Sequence, residues 1–169
     1  MSTTLTTDNL GSDVRKLEAD GSNWAIFLAR FSEAVQAKGR WGHFTGTSTR
    51  PTDTAPLPAG RQAELDKWDT DEAIAKQMLT SRIPDSTVIR IQKHATVAAR
   101  WAAVTAEYAV KGEYAAANMR ERFMATKCGD KENVRKFLDD LAMKREELAA
   151  VGVEISDKDY RSTIINSIP

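Results

Sequence analysis

Apolar residues recur three and four positions apart along most of the chain, and glycine, proline and short polar residues fill the gaps between these stripes. The first stripe is Trp24, Phe27, Leu28, Phe31 and Val35; Ser22 or Asn23 can cap it, and Gly39 can stop it with a left-handed residue. The second runs through Leu65, Trp68, Ala75, Met78 and Leu79 and has to end before Pro84, which pushes its predecessor out of helical geometry. Ser86 opens a short helix over Val88, Ile89 and Gln92, and Thr96 opens another carrying Val97, Trp101, Val104 and Tyr108. Lys111 with Gly112 reads as the next break. Beyond it, Ala116, Met119 and Phe123 line a short helix, and Val134, Phe137, Leu138, Leu141, Leu148 and Val151 line a longer one stopped at Gly152.

The last start is marked twice. Ser156 and Asp159 occupy the N-cap and N3 positions of a capping box, while Ile155 and Tyr160 occupy the two positions of a hydrophobic staple. Tyr160, Ile164 and Ile168 continue one face to the end of the sequence with nothing downstream to cover it, so the chain reads as a fragment of a longer polypeptide. No stretch alternates with period two. The expected fold class is all-α, with about seven helices and no internal repeat.

Two segments fall outside this pattern. Residues 1–12 are rich in Ser and Thr and read as a loose start before Val14 and Leu17, which pack on the body. Between Trp41 and Gly60, Gly42, Gly46, Pro51, Pro56 and Pro58 punctuate a run of Thr and Ser, which predicts a long loop rather than a helix.

Trp24, Phe27, Phe31, Trp68, Trp101, Phe137 and Leu141 lie inside apolar stripes and are the expected core anchors. Trp41 and Phe44 follow a glycine stop and flank His43; this aromatic elbow either closes the core or meets a partner. Trp41, Phe44, Tyr160, Ile164 and Ile168 are therefore the candidate contact residues. Met119, Met124 and Met143 read as fillers of gaps.

Charge narrows the function classes. Lys and Arg total 24, as do Asp and Glu, and the balance holds on both sides of residue 110, with 13 of each sign before it and 11 of each after. A binder of nucleic acid through phosphate neutralisation would carry an excess of cations. One cysteine excludes an internal disulfide, and two histidines leave little for a metal site, so a reducing, intracellular setting is expected. A basic-then-apolar leader is not seen at the start, and no run approaches the roughly 20 apolar residues of a membrane span.

Catalytic constellations are equally sparse. GxGxxG, GxxxxGKT, HExxH and CxxC do not occur, and GHFTGTSTR resembles a phosphate cradle only in composition. His43 and His94 read as surface or partly buried residues, and Cys128 as a small buried thiol. Asp69, Asp71 and Glu72 read as a solvent-facing acidic group, as do Asp139, Asp140, Glu146 and Glu147. No catalytic, cofactor-binding or metal residue is assigned, and neither a cofactor nor a small-molecule substrate is expected.

Five pieces in order, KLEADGSNWAIFLARFSEAV, KGRWGHFTGTSTRP, WDTDEAIAKQMLTSRIPD, WAAVTAEYAVKGEYAAANMRERFMATKC and NVRKFLDDLAMKREELAAVGVEISDKDYRSTIINSIP, resemble the Gag polypeptide of copia-type LTR retrotransposons, particularly fungal forms. The likeness runs from about residue 14 to the end. It implies a non-enzymatic capsid protein made of two small helical domains, similar to capsid N-terminal and C-terminal domains. On this chain they would span 13–110 and 113–169, the second cut short, with Lys111 and Gly112 as the hinge. The resemblance further implies self-association into dimers and virus-like particles in the cytoplasm around element RNA, with RNA contacts made by regions outside this chain and no membrane partner. The alternative function is a domesticated Gag-derived module that binds another protein; a small helical enzyme is the third class and has no residues to carry it.

Overall fold

The computed structural model describes residues 9–52 and 55–168. The polar start at residues 1–8, Asp53, Thr54 and Pro169 lie outside the described residues. Among those described there are seven α-helices and no strand: α1 (Trp24–Ala37), α2 (Trp41–Thr45), α3 (Arg61–Thr80), α4 (Asp85–Ile91), α5 (Val97–Met124), α6 (Val134–Ala150) and α7 (Asp157–Ser167). Their contacts fall into two compact units.

The first unit takes the described residues up to Ala19 and Phe27–Glu107. Its centre is aromatic: the Phe31 ring stacks on Phe27 and on Trp101, each at 5.2 Å, and meets Phe44 edge-on at 5.5 Å. Val35, Leu79, Val97 and Val104 are fully buried around it. Burying each large apolar side chain contributes about 1.5–3 kcal/mol, so this cluster is the main source of the unit's cohesion. The lead-in is held as the sequence suggests. Val14 and Leu17 are buried, the Leu17 N–H donates to Arg82 O at 2.8 Å, and Arg82 Nη2 returns a bond to Leu10 O at 2.6 Å.

The second unit takes Asp20–Ile26 and the chain from Tyr108 onward. Phe123, Cys128, Phe137, Leu141 and Ile155 form its core, with Leu138, Leu148, Tyr160 and Ile164 packed against them. Trp24 belongs here, stacked on Tyr108 at 5.9 Å. Its neighbour Ala25 sits so close to Gly152 that a Cβ there would lie 2.7 Å from the Ala25 Cβ.

Two expectations about local structure are corrected. The break at Lys111 and Gly112 is not present, because α5 runs through both residues without interruption. A glycine costs a helix interior about 1 kcal/mol relative to alanine, but Gly112 is needed for a close approach, since a Cβ would stand 3.0 Å from Trp24 Cδ1. The two helices expected on either side of that point are one. Conversely, the turn-rich stretch after Arg40 does contain a helix, the single turn and a half of α2, closed by Gly46 in the left-handed region at φ 78°.

Candidate interaction surfaces

The elbow of α2 is fastened inward. Phe44 is buried between Phe31 and Trp101, so it has no surface to offer a partner. Trp41 is half-buried, stacked on Phe44 at 5.7 Å and edge-on to Trp101 at 5.9 Å. The polar residues of the elbow lead to α3. His43 and Glu72, 7% and 6% exposed, bring Nδ1 and Oε2 to 2.8 Å. Glu72 Oε1 accepts the Val97 N–H at 2.7 Å and thereby satisfies one of the open donors at the start of α5. Glu72 faces the interior, which corrects the reading of it as a solvated acid. The apolar stripe of α3 contained the clue: 65, 68, 72, 75 and 79 are spaced three and four apart, and Glu72 is the polar member of that series.

His43 Nε2 lies 3.4 Å from Ser48 Oγ, which also accepts the Trp68 indole N–H at 3.1 Å. Trp68, expected as a core anchor, is half-buried and ties the loop to α3 through this bond. Hydroxyl, imidazole and carboxylate in series are the order of a hydrolase relay. Here Ser48 gives its own N–H to Gly42 O at 3.0 Å and does not present it to an oxyanion. The arrangement is a buried polar network that joins α2, α3 and α5.

Outside it, the remaining elbow charges are also paired. Arg50 grips Asp69 with two bonds of 2.8 Å, and Asp71 accepts from Lys67 at 2.7 Å and Arg40 at 3.3 Å. The Arg50 hydrogen bond holds the Asp69 carboxyl below its usual range. For Asp71 burial acts upward, but the Lys67 bond with the charges of Lys67 and Arg40 outweighs it and the carboxyl is again lowered.

The second unit presents its chemistry differently. Ser156 caps α7 as the sequence indicates, accepting the Asp159 N–H at 3.1 Å, and Asn133 caps α6. Arg145 joins the two helices: its guanidinium donates to Ile155 O and to Asp157 Oδ1 at 2.7 Å and lies 4.8 Å from the Tyr160 ring centre. The Arg145 bond lowers the Asp157 carboxyl. Tyr160 and Ile164, named as contact residues, turn inward onto the Phe123 cluster, whereas Ile168 is exposed and Ile165, which was not named, is 76% exposed. Met143 on α6 is 61% exposed rather than filling a gap. Phe137 and Leu141 are buried in the unit's core. Cys128 is a buried free thiol, raised by burial and by the nearby Glu132 charge. An open groove of about 410 Å³ lies in the same unit, lined by Ser22, Ala25, Gly112, Arg120, Gly152 and others.

Among the described residues no group of three or more His, Cys, Asp or Glu side chains could hold a metal ion, and no helix is long and apolar enough to cross a membrane. Comparison with known families matches residues 33–169 to the gag-polypeptide of LTR copia-type. No curated protein and no solved structure matches the chain.

Proposed function

The chain belongs to the gag-polypeptide family of LTR copia-type, and we propose that, as a retrotransposon-associated structural protein, it is the capsid building block that self-assembles into a virus-like particle enclosing element RNA. The observation that carries this reading is the family match from residue 33 to 169, which takes in α2 through α7 entire. Exposed apolar side chains such as Tyr114, Met143 and Ile165 in the second unit support it, because they suit burial against further copies. With cations and anions equal at 24, the chain has no charge excess for phosphate, so its part is the protein shell, assembled in the cytoplasm.

Light scattering over a concentration series, with negative-stain microscopy, tests the proposal. The expected result is a mass that rises above the 18.7 kDa of one chain, with particles at high concentration. A chain that stays at the monomer mass and forms no particles would sink it.

A further inference from the structure

The outward faces of α6 and α7 carry opposite charges that the fold leaves without contact ion pairs among the described residues. At 100° per residue, Asp139, Met143, Glu146 and Glu147 lie on the side of α6 away from Phe137, Leu141 and Leu148, with Asp140 at its flank. Arg135 and Lys136 share this side at its N-terminal end, and four carboxylates against two cations leave the face net acidic. On α7, Lys158, Arg161, Ser162 and Ile165 lie opposite Tyr160, Thr163, Ile164 and Ser167. The acids of α7 are already committed, Asp157 to Arg145 and Asp159 to the Ser156 hydroxyl, so its outward face is basic. None of these outward charged groups makes a contact ion pair with a described residue, in contrast to the paired charges on α3, although the Arg161 charge acts on Asp157 from one turn away. Each face also holds a large exposed apolar side chain, Met143 on the acidic one and Ile165 on the basic one.

We infer that the acidic face of α6 is the docking surface for the basic face of α7 on a second copy of this chain. The match is in charge and in length: residues 139–147 span about 12 Å and 158–165 about 10 Å along their helix axes. Met143 and Ile165 supply apolar contact within the charged frame. Because the two surfaces differ, the contact is heterologous, and every copy keeps one free acidic and one free basic face for the next. Such a contact propagates into rings or open arrays, whereas an isologous pair would close at two. The inference rests on the self-assembly proposed above and names one of its contacts.

Two double variants in the full chain test it. Glu146→Lys with Glu147→Lys places cations near the C-terminal end of α6, and Lys158→Glu with Arg161→Glu places an anion in the first turn of α7. Both agree with the helix dipole, and circular dichroism is used to check that each variant folds. Each alone is expected to associate at least about tenfold more weakly than the parent, since like charges then face one another. An equimolar mixture is expected to recover the mass seen by light scattering, because each variant offers the face its counterpart lacks. Added salt should weaken the parent's association. A parent chain that never associates overturns the self-assembly reading together with this one. Association of the parent with undiminished association of both variants, or silence of the mixture, overturns the α6 to α7 contact alone. Loss of RNA co-sedimentation in the α7 variant with self-association intact assigns that face to RNA and overturns it too.

Discussion

The elbow around α2 and the outward faces of α6 and α7 hold the same kinds of residue and use them in opposite ways. In the first unit Arg50, Asp69, Lys67, Asp71, His43 and Glu72 all find partners within the chain, and the aromatic rings beside them are packed on one another. In the second, Asp139, Glu147 and Lys158 find none among the described residues, and the apolar side chains beside them face solvent. Aromatic richness therefore marks internal cohesion here. The surface we propose for a neighbouring copy is a plainer one, built of charges around a methionine and an isoleucine.

The contrast can be broken most forcefully at Trp101. Trp101→Ala should cost about 3–5 kcal/mol, read as a lower urea midpoint, because Phe31 loses a stacked ring and Trp41 and Phe44 lose an edge-on one. An effect below about 1 kcal/mol would mean that the elbow is not a core. Glu72→Ala is next: it strips an acceptor from His43 and from the Val97 N–H, at about 1–3 kcal/mol for buried groups left unsatisfied. In the second unit, Gly152→Ala should destabilise by about 1–3 kcal/mol, since the added methyl collides with Ala25 and the backbone sits at φ 87°; a melting temperature equal to the parent's would contradict the packing described.

Smaller still is the effect of acid. Asp69, Asp71 and Asp157 have carboxyls lowered in the folded state from the ordinary 3.8. Their contribution is complete above that value and is lost as pH falls through the lower folded-state values. The urea midpoint should decline below about pH 4, and Asp71→Asn should flatten the decline. Least of all, Ile165→Ser should move stability by no more than about 0.5 kcal/mol while weakening association. A large loss of stability there would place Ile165 in the fold's interior and remove the comparison.

Much of this organisation is legible in the sequence because it is local. The stripe from Trp24 to Val35, the stop at Gly39 with φ 69°, and the Ser156 cap each depend on residues a few positions apart. What was not legible depends on distant partners. Gly112 reads as a breaker until Trp24 is placed against it. Trp24 and Phe27 share a stripe, yet their contacts assign them to different units. Glu72 looks like its neighbours Asp69 and Asp71 until His43 and Val97 arrive from opposite directions along the chain. Ile164 and Ile165 are adjacent, and only helix phase decides that the first points inward and the second outward.

The bond from Val97 to Glu72 joins residues 25 apart, and it bears on the order in which the chain acquires structure. Thr96 offers α5 a local cap through the Ala99 N–H at 3.2 Å, so the helix can nucleate without help from α3. Glu72 can engage only after the intervening loop has closed, a step with its own entropic cost. We expect it to act late, as a lock set on an already formed helix. In stopped-flow experiments, replacing Glu72 should speed unfolding while leaving the refolding rate nearly unchanged.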